Sequence, residues 1–379
     1  MSSLHTYVVL GAGRQGGAVV YDLILHGNAQ KIYLVDADEK QLQTQVQRLN
    51  HFSKKTIVEG AVASFENEKE MKAIFRKARA CLSAAPYFLN VNLARWVLEE
   101  KTHFCDLGGN TDIVFQELEL AELAKNNGVS LIPDCGLAPG LCNMIVAYSL
   151  ENFDQVDSVK MFCGGLPKHP EPPFYYNLFF SIHGLVNEYF GDATVLRNGK
   201  RVTIPTMTEL EEIQFPEPIG KCEAFVTTGG TSTCPWTFDG KIRNFEYKTV
   251  RYPGHFQKMK AYEELGLLEE EDTKNQFKKF LEKKLWKPGV EDVVVLRLLV
   301  EGTHLKKSKK TQYNLMDYYD HETGFSAMER TTGFSAALVL EAQAQGEVSP
   351  GAHRLETIVF KDLPEKLWQR GLHLQTTLA

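Results

Sequence analysis

Three glycines near the start of the chain have the spacing of a phosphate-binding turn. Gly11, Gly13 and Gly16 directly follow the apolar run Thr6–Leu10. In such a turn the first glycine allows the sharp bend, the second lets the backbone approach a pyrophosphate, and the third lets helix and strand pack closely. The amino terminus of the following helix offers N–H groups and a positive dipole end to the anion. The spacing therefore predicts a dinucleotide-binding βαβ unit.

A carboxylate stands where such a unit recognises the ribose. The second apolar run, Ile32–Val35, is followed by Asp36, twenty residues after Gly16. A carboxylate at the end of this strand accepts hydrogen bonds from the ribose hydroxyls and repels a 2′-phosphate. Asp38 adds negative charge, and no cationic residue follows Asp36 before Lys40. The pattern favours NAD over NADP; the alternative is that Asp36 is a solvated turn residue.

The composition is that of an ordinary soluble protein with room for two cores. The chain has 379 residues, 43% hydrophobic and 24% charged, with a net charge of −6. This charge gives no basic field for nucleic acid or an anionic membrane, so neither partner is expected. Seven cysteines without a CxxC pair, and no signal segment, indicate reduced thiols in the cytoplasm. The eleven histidines lack metal-ligand spacing, so no metal site is expected.

Strand and helix patterns alternate through the first third of the chain. Strands joined by helical crossovers form a parallel, doubly wound sheet, so the expected fold class is α/β with a Rossmann domain. The candidate strands are Thr6–Leu10, Lys31–Val35, Thr56–Glu59, Ala80–Ala84, His103–Asp106 and Val129–Pro133. The candidate helices are Gly16–His26, Lys69–Ala78, Val91–Glu100 and Phe115–Asn126.

The segments that leave these strands are expected at the carboxyl edge of the sheet. Doubly wound sheets bind their ligands at that edge. The segments are also rich in glycine, proline and small residues, which let a cofactor approach the backbone. The expected cofactor-binding residues are Gly11, Ala12, Gly13, Arg14, Gln15, Gly16, Asp36, Ala63, Ser64, Ala84, Ala85, Pro86, Tyr87, Leu107, Gly108, Asn110 and Pro139.

Hairpin signals replace this alternation beyond residue 150, which predicts a second domain of α+β type with a mixed sheet. Asn198-Gly199 and Asp239-Gly240 predict hairpin turns, and Lys306–Lys310 predicts a cationic turn. The candidate strands are Val156–Cys163, Thr194–Arg197, Lys200–Ile204, Trp236–Phe238, Lys241–Val250, Val293–His304 and Thr311–Asp320.

Two helix patterns follow in the last third of the chain. Glu269–Lys287 is highly charged and is expected to be a solvated outer helix. Thr332–Ala344 has the small and apolar residues of a packed helix that ends near Gly346 and returns to the nucleotide domain. The expected domains are residues 1–134, completed by residues 325–379, and residues 135–324.

The segment Asp134–Gly140, with sequence DCGLAPG, together with the glycine-rich start, resembles the saccharopine dehydrogenase superfamily. Within it, further segments resemble the lysine 6-dehydrogenase group, and the tail resembles its closing helix. These segments are Gly164–Pro167, Pro172–Asn177, Ser181–Tyr189, Arg251–His255 and Arg330–Phe334.

The resemblance implies an NAD-dependent dehydrogenase that oxidises a primary amine, with residues 135–324 forming a substrate and dimerisation domain of a homodimer. For L-lysine, hydride would pass from the ε-carbon to the nicotinamide. Hydrolysis of the imine would give the 6-semialdehyde and ammonia, and the semialdehyde would cyclise to piperideine-6-carboxylate. The loop of Asp134 and Pro139 would lie at the nicotinamide.

This chemistry requires a way to remove a proton from an alkyl ammonium and a group to hold a carboxylate. Arginine suits the carboxylate because its fork binds two oxygens. Arg251 is the candidate clamp, with a surface ion pair as the alternative. His255, at the start of a predicted helix, is a candidate proton acceptor or a structural histidine. Cys135 is expected only to pack, because no thiol chemistry is needed.

Further candidates come from three other segments. Asp134 would hold the substrate ammonium or orient a water, or else cap its own loop. Tyr176 and Asn177 would line the amine site, or else belong to an aromatic core. Thr228 and Thr231, in a glycine-rich run, would donate to a carboxylate, or else belong to a flexible turn.

Two competing functions remain open at this point. A saccharopine-type dehydrogenase would reduce the imine between lysine semialdehyde and glutamate, a substrate with two more carboxylates that calls for additional cationic groups. Lys168 is the only lysine or arginine between Gly164 and Tyr189, which favours the smaller substrate. The other alternative is a non-catalytic NAD-binding regulator, which would bind the cofactor without turnover.

Overall fold

The computed structural model describes residues 4–378 and divides into two compact units. Unit 1 contains the chain up to residue 144 together with residues 329–360, and unit 2 contains residues 145–328 together with the chain from residue 361. The chain therefore passes from one unit to the other three times.

The first part of the chain alternates strands and helices as the sequence predicted. Its elements are β1 His5–Leu10, α1 Arg14–Leu25, β2 Ala29–Asp36, α2 Glu39–Phe52, β3 Ile57–Val62, α3 Glu68–Phe75, β4 Ala80–Ser83, α4 Asn90–Glu99, β5 His103–Asp106, α5 Thr111–Leu118, α6 Ala121–Asn126, β6 Ser130–Ile132 and α7 Leu141–Leu150.

The remainder of the chain is richer in strands. Its elements are β7 Gln155–Pro167, α8 Ile182–Tyr189, β8 Asp192–Arg197, β9 Lys200–Pro205, β10 Glu211–Gln214, β11 Lys221–Val226, α9 Cys234–Thr237, β12 Asn244–Arg251, α10 His255–Glu264, α11 Glu271–Leu285, β13 Asp292–His304, β14 Lys307–Tyr318, α12 Ala327–Gln345, β15 Gly351–Ala352, α13 Leu363–Gln369 and β16 Gln375–Leu378.

Unit 1 is built on a parallel sheet. In the described part of the chain this sheet has seven strands, in the order β15-β6-β5-β4-β1-β2-β3. The strand order reverses between β1 and β4, which is the point where doubly wound sheets bind ligands. The middle strands are buried on both faces, with Val8, Leu10 and Phe104 inaccessible to solvent. The predicted α/β class and Rossmann sheet are confirmed.

Helix α12 closes unit 1, as the apolar pattern of Thr332–Ala344 predicted. A Cβ on Gly333 would lie 2.6 Å from Cβ of Ala18, so glycine lets α12 approach α1 closely. Farther along, Nε2 of Gln343 donates to the carbonyl oxygens of Phe104 at 2.9 Å and Ser130 at 3.1 Å. The helix thus packs on one side of the sheet and is hydrogen-bonded to two of its strands.

Unit 2 is built on a mixed sheet, as expected. Among the described residues it has nine strands, with the path β10-β11-β12-β7-β13-β14-β16 and the hairpin β8–β9 attached to β12. Strands β12 and β7 run parallel, while β7 and β13 run antiparallel. One side of the sheet packs around a core that includes Phe162, Leu166 and Val250.

The turns of unit 2 confirm one prediction and correct two others. Asn198 and Gly199 have φ values of 53° and 80° and join β8 to β9, as a type I′ hairpin requires. The predicted strand Trp236–Phe238 is wrong. Pro235 lies in the first turn of α9, where its fixed φ favours a helix, so Asp239-Gly240 joins no hairpin.

The cationic turn predicted at Lys306–Lys310 is shorter in the structure. Leu305 and Lys306 have φ values of 51° and 62° and form a two-residue turn between β13 and β14. The lysines from Lys307 onward belong to β14. The predicted solvated helix, α11, also buries an apolar stripe of Phe277, Leu281 and Leu285 at four-residue spacing.

The division between the units differs from the expected domain bounds. Residues 135–144 remain with unit 1, since the N–H of Cys135 donates to the carbonyl of Asp106 at 2.8 Å. The chain from residue 361 belongs to unit 2, where Gln375–Leu378 pairs with β14.

No helix within residues 4–378 has both the length and the apolar character to cross a bilayer. Within the same range, no group of three or more histidine, cysteine, aspartate or glutamate side chains is placed to hold a metal ion.

Candidate functional site

The glycine-rich turn of unit 1 contains two glycines that the protein's own packing requires. Gly11 has φ +97°, and a Cβ there would lie 2.9 Å from the carbonyl oxygen of Ala84. A Cβ on Gly16 would lie 1.8 Å from the carbonyl oxygen of Gly11. Any side chain at either position would displace the backbone of the turn.

Gly13 is different, because no atom of the described residues excludes a side chain there. Its φ of −73° suits any residue, and the nearest atom to a Cβ would be Nε2 of Gln41 at 3.8 Å. Gly13 is also the N-cap of α1, and no side chain caps the helix at this residue. A glycine that leaves open space before an uncapped helix terminus suits the close approach of a phosphate.

Asp36 lies at the carboxyl end of β2, beside this turn. Its Oδ2 accepts a hydrogen bond from the N–H of Ala12 at 2.7 Å, and its Oδ1 accepts one from the N–H of Asp38 at 2.9 Å. Asp38 in turn caps α2 by accepting from the N–H of Gln41. Two negative charges are therefore held at the position where the adenosine ribose binds in such folds.

The loops after the neighbouring strands begin side by side at the same edge. The N–H of Ala84 donates to the carbonyl of Leu10 at 2.8 Å, and the N–H of Leu107 donates to the carbonyl of Ser83 at 3.2 Å. The expected cofactor residues outside the glycine turn lie on these loops. Ala63 and Ser64 follow β3; Ala84, Ala85, Pro86 and Tyr87 follow β4; Leu107, Gly108 and Asn110 follow β5; and Pro139 follows β6.

Two of the expected cofactor-binding side chains are engaged within unit 1. Nε of Arg14 donates to Oε1 of Glu329 at 2.9 Å. The side chain of Asn110 accepts from the N–H groups of Asp112 and Ile113 and caps α5. The two side chains therefore stabilise the loops. The groups that remain available to a cofactor at these positions are those of the backbone.

Asp134 is held in a left-handed backbone conformation beside two other buried acids. It has φ +61° and is 4% exposed. Oδ1 of Asp106 accepts from the N–H of Asp134 at 3.2 Å and from that of Gly108 at 2.6 Å. A Cβ on Gly108 would lie 1.8 Å from Oδ1 of Asp134, so only glycine leaves room for this carboxyl group.

The third acid is Glu117 on α5. Burial and the adjacent Asp106 carboxylate raise the pKa of Glu117 well above its usual range. Burial also raises the pKa of Asp106, while its contacts with Glu117 and with the N–H groups of Asp134 and Gly108 act in the opposite direction. The pair joins the loops that follow β5 and β6.

Unit 2 contains a second set of polar side chains, most of them buried, in which Arg251 is central. On β12 alternate residues share a face, which places Thr249 and Arg251 together. Arg251 is 2% exposed, so it does not form the surface ion pair that was the alternative. Its Nε donates to the hydroxyl oxygen of Tyr189 at 2.6 Å, and its Nη1 donates to the carbonyl of Val250 at 2.8 Å.

His255, at the start of α10 as expected, has both ring nitrogens engaged. Nδ1–H donates to the carbonyl of Phe174 at 2.9 Å, so Nε2 accepts the hydroxyl proton of Tyr189 at 3.0 Å. Burial, together with the charge of Arg251, lowers the pKa of His255 to about 3. The imidazole is neutral at physiological pH and its lone pair is occupied. This arrangement favours a positioning role rather than the expected proton acceptor.

Two buried donors in the segment that reaches Arg251 have no acceptor among residues 4–378. The hydroxyl of Tyr176 and Nδ2 of Asn177 are buried without a hydrogen-bond partner, and the two residues are 4% and 5% exposed. Burial raises the pKa of Tyr176, so its hydroxyl keeps its proton. The Tyr176 ring lies under the guanidinium of Arg251, with its centroid 4.7 Å from Cζ. Buried donors without acceptors are costly, which points to an acceptor that binds here.

Lys248 is a second buried cation of unit 2, and unlike Arg251 it has a hydrogen-bonded carboxylate partner. It lies on the opposite face of β12 and is 5% exposed. Its ammonium donates to the carbonyl of Glu209 and to the carboxylate of Glu211. Arg251 has no comparable carboxylate partner within hydrogen-bond distance, which sets it apart within the same strand.

Glu188 is a member of the set that the sequence analysis missed. Oε1 of Glu188 lies 3.7 Å from Nη2 of Arg251 and accepts the hydroxyl proton of Thr249. Burial raises the pKa of this carboxyl, while Arg251 and Thr249 act in the opposite direction. Glu188 is more than sixty residues from Thr249 and Arg251 in the sequence, and no local sequence pattern predicts the contact. Its place in the segment Ser181–Tyr189 was the one available signal.

The expected substrate-binding threonines have internal partners. The hydroxyl of Thr228 donates to the carbonyl of Asn187 at 2.6 Å, and its N–H donates to that of Glu188 at 2.9 Å. The hydroxyl of Thr231 donates to the carbonyl of Thr194 at 3.3 Å. These contacts hold the glycine-rich turn against the end of α8 and against β8.

Family comparisons agree with both parts of this description. The family model described as the saccharopine dehydrogenase NADP binding domain matches residues 7–132, and the saccharopine dehydrogenase C-terminal domain matches residues 136–372. The chain belongs to the saccharopine dehydrogenase family. A dinucleotide-binding domain is thus present, and the resemblance seen in the sequence is confirmed at the level of the family.

Individual relatives of the family are distant. The rat mitochondrial alpha-aminoadipic semialdehyde synthase is 23% identical over 280 residues, which are 72% of this chain and 29% of that protein. The saccharopine dehydrogenase [NADP(+), L-glutamate-forming] of Pyricularia oryzae is 22% identical over 73% of this chain and 60% of its own length. The chain therefore spans less than two thirds of either relative.

The fold itself is shared over the whole chain. The apo saccharopine dehydrogenase (L-Glu forming) of Saccharomyces cerevisiae superposes with a TM-score of 0.79, at 15% identity, over 99% of this chain and 100% of that one.

Proposed function

We propose that this chain is a nicotinamide-dependent dehydrogenase that oxidises the primary amine of an amino acid, with the ε-amine of L-lysine as the first candidate. The buried Arg251, over the ring of Tyr176, carries the proposal, since Tyr176 and the next residue, Asn177, each have a buried donor without a partner among the described residues. A carboxylate is the group that accepts from an arginine fork and from neutral donors together.

The cofactor proposed is NAD. Gly13 and the start of α1 would hold the pyrophosphate, and Asp36 would accept from the ribose hydroxyls. The family model and the fungal relative are both named for NADP. In this chain, however, Asp36 and Asp38 would place two carboxylates near the ribose and residues 37–39 contain no cation, which disfavours a 2′-phosphate. When bound, the nicotinamide supplies the hydride acceptor.

The roles of the remaining residues follow from their surroundings. Asp134, held by Asp106 and Gly108, would accept from the reacting ammonium or orient the water that hydrolyses the imine. Tyr176 and Asn177 would donate to the substrate carboxylate together with Arg251. His255 would fix the orientation of Tyr189 and thereby of Arg251, while Thr228 and Thr231 would position α8 and β8.

A saccharopine-type dehydrogenase is the second candidate, favoured by the names of the relatives. Its substrate carries two more carboxylates than lysine. Lys168, the one lysine or arginine between residues 164 and 189, already donates to Glu291 at 2.7 Å. The structure thus gives more support to the smaller substrate. A regulator that binds NAD without turnover is the third reading, and the same assay separates all three.

The test is a panel of amines and amino acids assayed with NAD and with NADP. We expect L-lysine with NAD at alkaline pH to produce reduced cofactor. Oxidation of NADH or NADPH with semialdehyde plus glutamate, and no reaction with lysine, would assign the chain to the second candidate. Cofactor binding without turnover of any substrate would support the regulator. Light scattering on the same preparation tests the homodimer that the family resemblance implies.

The Arg251→Lys variant tests the carboxylate site within that panel. Lysine keeps the charge but loses the fork, so the KM for L-lysine should rise more than the KM for 1,5-diaminopentane, which has no carboxylate. Lys160→Arg, at a half-exposed position on neighbouring β7, is the control and should change neither value. Equal effects of Arg251→Lys on both substrates would remove Arg251 from the carboxylate site.

A further inference from the structure

The Glu188 carboxylate and the Arg251 guanidinium lie close together but form no hydrogen bond with each other. Oε1 of Glu188 lies 3.7 Å from Nη2 of Arg251, beyond hydrogen-bond distance. Both groups therefore keep capacity for a third partner. The N–H groups of Arg251 that Tyr189 and Val250 do not use have no acceptor among the described residues.

From this geometry we propose that Glu188 and Arg251 together recognise the α-amino-acid end of the substrate, with Glu188 binding the α-ammonium and Arg251 binding the α-carboxylate. The inference rests on the proposed function and narrows it. If the α-amine is bound by Glu188, the amine that is oxidised is a second one, on the side chain of the substrate.

The exposure of the two groups supports a partner that enters beside Glu188. The Glu188 side chain is 16% exposed, whereas that of Arg251 is 2% exposed. Glu188 is also fixed in place from two directions. The hydroxyl of Thr249 donates to its carboxylate, and the N–H of Thr228 donates to its backbone carbonyl. A carboxylate held in this way is preorganised to accept from an ammonium.

The charges at Glu188 and Arg251 favour a zwitterionic ligand. Arg251 and Glu188 contribute one positive and one negative charge. Among the other titratable groups that face them, His255, Tyr176 and Tyr189 are neutral, because burial lowers the pKa of the imidazole and raises those of the phenols. Tyr247 also faces Arg251. A neutral zwitterion leaves this balance unchanged, while a simple carboxylate or a simple amine adds an uncompensated charge to a buried site.

The pair Lys248–Glu211 on the other face of β12 is the internal comparison. There the ammonium donates directly to the carboxylate and to a backbone carbonyl, and the charges satisfy each other. That pair needs no ligand, and it shows what a closed structural ion pair in this sheet looks like. The open pair at Glu188 and Arg251 is built differently.

The experiment compares L-lysine with 6-aminohexanoate, which has the same chain and carboxylate but no α-amine. Their affinities are measured by calorimetry, and their kcat/KM values with NAD and with NADP, for the wild type and for Glu188→Gln. We expect the variant to lose about tenfold or more in both measures for L-lysine, because a hydrogen bond to a charged group is lost. For 6-aminohexanoate the change should be less than about twofold, and Asp192→Asn, an exposed acid on β8, should change neither.

Glu188→Asp keeps the charge and serves as a second variant if Glu188→Gln does not fold, as judged by circular dichroism. It should weaken L-lysine binding and leave 6-aminohexanoate unchanged. Equal losses for both ligands, no loss for L-lysine, or a wild type that binds both equally would each overturn the role of Glu188. If no amine yields reduced cofactor, yet calorimetry shows the selective loss, the dehydrogenase proposal fails while the recognition of the α-amino-acid end stands.

Discussion

At the scale of single residues, the hydroxyl of Tyr189 links the two basic side chains of unit 2. It accepts from Arg251 and donates to His255, so a single O–H group sets the direction of both contacts. The carbonyl of Phe174 fixes the imidazole tautomer that makes this possible. The cluster therefore depends on His255 remaining neutral.

The pH dependence of stability tests that statement. The pKa of His255 is about 3 in the folded protein, against 6.5 for an unperturbed histidine. The unfolded chain takes up this proton first, so the stabilisation is fully present above pH 6.5 and is lost as the pH falls toward 3. His255→Asn should lower the free energy of unfolding by about 1–3 kcal/mol at pH 7.5, because Tyr189 loses its acceptor. Urea denaturation should show this difference shrinking as the pH falls from 6.5 to 4; a constant difference would contradict the assigned proton state.

A pair of glycine variants tests the dinucleotide turn. Gly13→Ala should leave the melting temperature unchanged, since its Cβ would have 3.8 Å of clearance, but should weaken cofactor binding by about tenfold or more, equivalent to about 1.4 kcal/mol. Gly16→Ala is the matched comparison and should lower the melting temperature, because its Cβ would meet the carbonyl oxygen of Gly11 at 1.8 Å. Unchanged cofactor affinity in Gly13→Ala would mean that no phosphate approaches this residue.

Candidate site residues were predictable from the sequence where they belong to one local motif. Gly11, Gly13, Gly16 and Asp36 stand within one βαβ unit, and the structure places them together at the carboxyl edge of the sheet. Glu188 was not predictable, since its contacts depend on how β12 packs against α8. The engagement of both nitrogens of His255 had no sequence signal for the same reason.

At the scale of elements, parallel strands were predicted more accurately than hairpins. The strands of unit 1 are continuous apolar runs because both faces are covered, and such runs are readily recognised. In unit 2, Asp239-Gly240 has the composition of a hairpin turn but follows a helix that Pro235 starts. The charge of Lys307, Lys309 and Lys310 looked like that of a turn, yet these residues belong to the solvent-accessible first part of β14. The composition of a turn and the charge of a segment therefore do not determine which strands pair.

The contact between α12 and α1 gives a prediction at this scale. Gly333→Ala should destabilise unit 1 by about 1–3 kcal/mol, because the added Cβ would lie 2.6 Å from Cβ of Ala18 and 3.0 Å from the backbone nitrogen of Val19. Gly17→Ala on α1 is the control. Its Cβ would meet only the flexible side chain of Gln45, at 3.1 Å, and the higher helix propensity of alanine should stabilise by up to about 1 kcal/mol. Thermal denaturation of both variants decides; equal effects would argue against close packing at Gly333.

At the scale of the whole molecule, cofactor binding should appear as added stability. A ligand at one hundred times its Kd stabilises the folded state by about 2.7 kcal/mol. NAD should therefore raise the melting temperature more than NADP at equal concentration, and Asp36→Ala should narrow that difference. Adenosine monophosphate with and without a 2′-phosphate provides the control for the ribose contact. A larger shift with NADP in the wild type would assign this chain the cofactor for which its relatives are named.

The three passages of the chain between its units have a consequence for synthesis on the ribosome. The sheet of unit 1 needs β15, and its outer layer needs α12, yet both are translated only after residues 145–328. Translation adds about 5–20 residues per second, so the edge of β6 stays unpaired for many seconds until β15 has been synthesised. During that interval the later half can finish most of its own sheet, except for β16, which comes last of all. Ending the chain before residue 329 would thus remove most of α12, and β15, from unit 1, so a single cut cannot separate the two units.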